Sequence, residues 1–162
     1  MRGSKKASKI LQKACENRFD LGTNIVSYPL CGAPLRPSTS SQSTLDSRTA
    51  AYLAANACES KKANSTVVLD VSKVTLLADF FVITGGESAA QIRAIVEAVD
   101  DALTSQGLKA KSIEGKTEGR WVLLDFGSVI VHVLQEKERN FYKIEQFWNH
   151  ALIVDREEWV EE

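Results

Sequence analysis

No stretch of this chain is apolar for long enough to cross a bilayer. The longest candidates, FFVI and VIVHVL, have the length of buried strands, far below the roughly 20 residues a spanning helix needs. Cysteine is scarce and oddly numbered: Cys15, Cys31 and Cys58 form no Cys-x-x-Cys pair and have no histidine cluster near them. That pattern points to neither a disulfide framework nor a zinc site, and a reducing compartment is the default. Acid is almost missing from the start of the chain, where Arg2, Lys5, Lys6, Lys9, Lys13, Arg18 and Arg36 face only Glu16 and Asp20. The formal net charge of -1 therefore hides an acidic remainder. Phosphate neutralisation is a poor basis for its binding, and direct sequence-specific nucleic-acid recognition is not expected.

The sequence divides by texture. Residues 1–45 carry no sustained period: SKKASKILQKA gives way to glycine, proline and the STSSQST run, the composition of a tail rather than a domain. This segment is basic and serine-bearing, as organelle transit peptides are, and it lacks the central apolar run of a secretory signal. Residues 1–45 are expected to be a disordered N-terminal extension, with a transit leader as the alternative. The expected location is cytoplasmic, or a plastid or other organelle if 1–45 is a transit peptide. Residues 46–150 read as one domain, and 151–162 as a C-terminal tail.

Within the domain, Asp46 to Lys62 reads as a helix capped by Asp46 or Ser47, with Ala50, Leu53, Ala54, Ala57 and Cys58 on one face. Thr66–Val71 and Ala78–Gly86 are β-rich and read as interior strands. Ser88 followed by Gln91 forms a capping box, and Ile92, Ile95, Val96, Val99 and Leu103 continue it at helical spacing until Gly107. Lys111–Glu114 reads as a short edge strand. Trp121–Phe126 and Val129–Gln135 read as a hairpin turning at Gly127 and Ser128. A last helix is expected from Glu138 to Trp148, with Phe141, Ile144 and Trp148 facing the core and Tyr142 and Phe147 off that stripe.

Residues that would carry catalysis are hard to find. AKSIEGKT, Ala110 to Thr117, comes within one residue of a phosphate loop, but a strand pattern follows it where such a loop must open a helix. The turn Gly85–Ser88 does precede a helix, yet Glu87 puts a carboxylate in its mouth. No Asp-x-Asp follows to hold magnesium, and the Asp125–Gly127 DFG reads as a hairpin turn. His132 sits in an apolar strand without a Ser, Cys or ligand set, so a hydrogen-bonded structural role outweighs a general base. Trp121, Tyr142, Phe147 and Trp148 exceed what one buried stripe can hide, and aromatics of this kind anchor protein interfaces.

In order, LADFFVITGG, QIRAIVEAV, EGRWVLLDFG, VIVHV, ERNFY and IEQFW resemble the Iojap or ribosomal silencing factor family, over essentially all of residues 46–150. The tail NHALIVDREEW further looks like cyanobacterial members. The resemblance implies an α/β fold, a mixed five-stranded sheet flanked by helices, with nucleotidyltransferase-like topology but without that catalytic site. It also implies a binder rather than an enzyme, with no cofactor and no metal. Its partner would be the large ribosomal subunit, chiefly its fourteenth protein, and homodimers occur in the family. Small-subunit joining would be blocked and translation repressed. A large-subunit assembly factor, and less so a nucleotidyltransferase-like enzyme, are the alternatives.

By position, the family's characteristic residues fall on Asp79, Gly85, Ser88, Gln91, Arg93, Glu114, Gly115, Gly119, Trp121, Asp125, Gly127, His132, Phe141, Tyr142, Glu145 and Trp148. Of these, the resemblance and the aromatic surplus together nominate Trp121, Asp125, His132, Tyr142, Glu145 and Trp148 for partner binding. Ser128, where an acid is usual, and the Ala89–Ala90 pair depart from the pattern.

Overall fold

A computed structural model describes residues 45–160. Helix α1 (Ser47–Ser60) leads into β1 (Asn64–Asp70) and β2 (Phe80–Gly86), then α2 (Ala89–Ser105). Three strands follow, β3 (Ser112–Glu114), β4 (Trp121–Asp125) and β5 (Val129–Gln135). The chain closes with α3 (Glu136–Tyr142), α4 (Ile144–Phe147), β6 (Leu152–Val154) and α5 (Arg156–Trp159). The sheet runs β3-β4-β5-β2-β1-β6, with β2 and β5 parallel and every other pair antiparallel.

The parallel pair is the centre of the fold. Every residue of β2 and all but the last of β5 are buried, so both strands are nearly continuous apolar runs, as strands covered on two faces must be. The hydroxyls of Thr66 and Thr84 satisfy one another across β1 and β2 at 3.0 Å. On one face lie α1 and α2. Helix α1 is wedged against sheet, α2 and α5 at once, so its buried surface is wider than a single stripe and is built from alanines. Ala51 and Ala55 are fully buried there, whereas Leu53, expected in the core, is only half-buried.

Capping fixes α2 in place. Ser88 Oγ accepts from the Gln91 amide at 3.2 Å, and Gln91 Oε1 accepts from the Glu87 amide at 2.9 Å, one residue earlier than the standard box. Gln91 Nε2 also donates to the carbonyls of Lys61 and Lys62, tying the start of α2 to the end of α1. At its far end, Leu108 N–H reaches the Leu103 carbonyl and Gly107 N–H that of Thr104, a Schellman closure that uses the positive φ of Gly107. Asp46 makes no side-chain cap on α1; Ser47 Oγ instead donates to Asp79 Oδ2 at 2.7 Å.

Three expectations change. The sheet has six strands, not five, because β6 pairs with β1 and makes β1 interior. Residues 151–160 are therefore part of the body rather than a tail. Trp159 is 3% exposed in the α1–α2 core, its carbonyl accepts from Asn56 Nδ2 at 2.6 Å, and Arg156 pairs with Glu59 at 2.7 Å. The last helix is broken: Lys143 is left-handed at φ 44° and ψ 53°, so α3 and α4 do not share one stripe. Ile144 and Trp148 remain buried, but Phe141, assigned to the same face, is 79% exposed. The basic segment, up to residue 44, lies outside the described residues.

Candidate functional site

Among the described residues, the face of the sheet opposite α1 and α2 is covered by α3, α4 and the turn after them, with Val71 and Ala78 at its edge. Its core gathers Leu69, Phe81, Ile83, Leu123, Leu134, Ile144 and Trp148, with Trp121 half-buried at the margin. From that margin a row of rings runs from surface to interior. Phe141 meets Tyr142 edge-on at 5.0 Å, and Tyr142 lies 5.0 Å from Trp121. Trp121 lies 6.0 Å from His132, His132 meets Phe81 at 5.5 Å, and Phe81 meets Trp148 at 4.9 Å. The outer members are exposed: Phe141 at 79%, Tyr142 at 37% and, one turn on, Phe147 at 42%.

The nominated residues separate into three groups. Trp121 and Tyr142 are brought together with rings in contact and surface to offer. His132 and Trp148 are 3% and 6% exposed, so neither presents surface to a partner; both back the row from inside. Burial holds His132 well below the usual imidazole range, at about 4, and its Nδ1 accepts from the Trp121 indole Nε1–H at 3.4 Å. It is a neutral structural histidine, and it orients the tryptophan.

The two acids are engaged locally. Asp125 Oδ1 accepts from the Gly127 amide at 2.7 Å and shapes the hairpin turn, where Gly127 takes φ 92°. It stands at the opposite end of β4 from Trp121, about 13 Å away at the strand rise, so it does not join the aromatic row. Glu145 Oε1 pairs with the Arg139 guanidinium at 2.6 Å across the helix break. Neither is an unattached surface carboxylate.

Phe141 and Arg139 are the residues that sequence reasoning missed. Helical periodicity puts Phe141 in the core, and nothing at Lys143 marks a left-handed break; the sign available for Phe141 was its place among the family's characteristic positions. After the near-miss phosphate loop, β4 follows as a strand, so no helix N-terminus receives a phosphate there. Among the described residues, no group of three or more His, Cys, Asp or Glu side chains is gathered to hold a metal ion, and no helix is long and apolar enough to cross a membrane. What the site offers is a half-open apolar row on a rigid strand.

Residues 44–162 match the family model described as "Ribosomal silencing factor during starvation". The chain belongs to this ribosomal silencing factor family.

Among its relatives, the Bacillus subtilis protein named ribosomal silencing factor RsfS is 40% identical over 103 residues, 64% of this chain and 87% of its own length. A maize relative named "Protein Iojap, chloroplastic" is 32% identical over 124 residues, 76% of this chain and 54% of the maize protein. A crystal structure from Chromobacterium violaceum aligns with a TM-score of 0.63 at 34% identity, covering 64% of this chain and 87% of that one. The family match reaches residue 162, which agrees with β6 and α5 being integral to the domain. It begins at residue 44, so nearly all of the basic segment lies ahead of the ribosomal silencing factor domain.

Proposed function

We propose that this domain silences translation by binding, without any covalent step. It docks on the large ribosomal subunit, chiefly on its fourteenth protein, and occupies surface the small subunit needs for joining. The carrying observation is the row Phe141–Tyr142–Trp121, three contacting rings that reach the surface from a sheet otherwise fully covered at its centre. Rigid aromatics bury large area at low rotamer cost, which is why they dominate binding energy at interfaces. The names of the relatives support the ribosome as the partner. Asp125 and Glu145 are held by the turn and by Arg139, so the apolar rings supply the affinity and charge contributes to steering.

Co-sedimentation tests this reading. The protein should travel with purified large subunits through a sucrose gradient and leave small subunits alone. Trp121→Ala should weaken that association by at least about 1 to 2 kcal/mol while the variant stays folded. Binding undiminished in a folded Trp121→Ala protein would remove the row from the account. Gradient profiles of depleted cells separate silencing from assembly, because loss of an assembly factor accumulates large-subunit precursors.

A further inference from the structure

Arg139 is the most heavily committed polar side chain next to the aromatic row. Its Nε and Nη2 reach Glu145 Oε1 at 2.8 and 2.6 Å, and its Nη1 donates to the Asn64 carbonyl at 2.9 Å. One guanidinium thus joins α3, α4 and the first residue of β1. Its backbone serves the same junction, since the Arg139 carbonyl accepts from Lys143 N–H at 2.8 Å at the left-handed residue. The surroundings make room for it. Gly85 is paired with Asn64, and a Cβ there would stand 3.4 Å from both Arg139 Nη1 and the Asn64 carbonyl, in close van der Waals contact. Between Asn64 and Val67 the β1 register shifts, with Ser65 at φ 49°, so β1 departs from regular pairing next to the carbonyl that Arg139 takes.

The consequence for the surface is specific. In an uninterrupted helix Phe141, Ile144, Glu145 and Trp148 would lie on one face, and two of these four are buried against the sheet. The break at Lys143 detaches Phe141 from that face and leaves it 79% exposed, with its ring against Tyr142 and through it against Trp121. A left-handed lysine is an unfavourable conformation, and it persists only where surrounding contacts fix it. Arg139 supplies those contacts on both sides of the break.

We propose that Arg139 is a positioning residue for partner recognition: clamped to Glu145 and Asn64, it holds the helix break that turns Phe141 outward, and Phe141 is the outermost anchor of the surface that meets the large subunit. The proposal rests on the functional reading above. It adds Arg139 to it, a residue that acts through Phe141, and makes Phe141 the outermost of the rings already named.

A double-mutant cycle on the full chain tests this, reading affinity for purified large subunits beside the melting temperature of each variant. Phe141→Ala, at a side chain already in solvent, keeps the melting temperature and lowers affinity about tenfold or more. Arg139→Gln lowers affinity by a similar factor in the unaltered background and by little when Phe141 is already alanine, because the two act in series. A merely structural arginine would cost the same in both backgrounds, and that result overturns its positioning role. Should Arg139→Gln fail to fold, Glu145→Gln replaces it in the cycle with the same expected non-additivity. Full binding by folded Phe141→Ala overturns the proposal while leaving the functional reading intact. An unaltered protein that ignores large subunits overturns both.

Discussion

The indole Nε1–H of Trp121 donates to Nδ1 of His132 at 3.4 Å, joining a half-exposed ring at the start of β4 to a histidine that is 3% exposed in the middle of β5. Only the neutral imidazole can accept that bond. Burial already disfavours the charged form, so packing and hydrogen bonding act in the same direction. A residue that looks catalytic in a list of letters therefore serves to fix the orientation of an aromatic neighbour.

The histidine makes stability depend on pH in a defined window. Its folded value of about 4 lies below the ordinary value of 6.5, so the unfolded chain binds the proton more readily. Stability from this group is fully present above about pH 6.5 and is lost as pH falls toward 4, by about 3 kcal/mol in all. Denaturant melts of the unaltered protein and His132→Phe across that range should show the slope in the first and its loss in the second. Equal slopes would mean that His132 does not titrate as described.

The C-terminal strap carries core weight. Trp159 sits in the α1–α2 core beneath the Arg156 guanidinium, 5.7 Å from its ring, and Asn56 and Glu59 of α1 hold the strap from the other side. Trp159→Ala should cost about 3 to 5 kcal/mol in denaturant melts. A loss below about 1 kcal/mol would show that the strap is an appendage.

Much of this was legible in the sequence, and the reasons differ by element. The capping box at Ser88, the Ile92–Leu103 stripe and the Gly127 hairpin are local signals, and each appears where the letters put it. β6 was not legible, because the three residues Leu152–Val154 carry no alternation and owe their strand to the exposed edge of β1. Phe141 was misplaced for a related reason. Its periodicity is helical on both sides of Lys143, and the stripe is interrupted by a left-handed residue that the Arg139–Glu145 pair spans, a tertiary feature with no local signal. For the site, residue type named Trp121 and Tyr142, whereas Asp125 and Glu145 needed geometry to show that their carboxylates are already engaged.

Gly115 sustains the backbone under the aromatic row. It takes φ 78°, and a Cβ there would collide with the Trp121 carbonyl. Gly115→Ala should destabilise the domain by at least about 2 kcal/mol and alter Trp121 fluorescence, since strain and collision act together. An unshifted melting curve would refute the close approach.

At the start of α2, Ser88→Ala removes one cap acceptor and should cost about 1 kcal/mol in thermal or denaturant melts. Ser88→Asp should retain most of the stability, because a carboxylate accepts from the Gln91 amide equally well and suits the helix N-terminus. If both substitutions cost the same, the oxygen at Ser88 is not what fixes the helix start.

The most direct test of the central claim is subunit joining itself. Purified large and small subunits are mixed with increasing amounts of this protein, and formation of the joined ribosome is followed by light scattering. Silencing by occupancy predicts that joining falls in proportion to the large subunits bound, with no nucleotide present, and that folded Trp121→Ala needs at least about tenfold more protein for the same effect. Undiminished joining while the protein saturates large subunits would contradict the account.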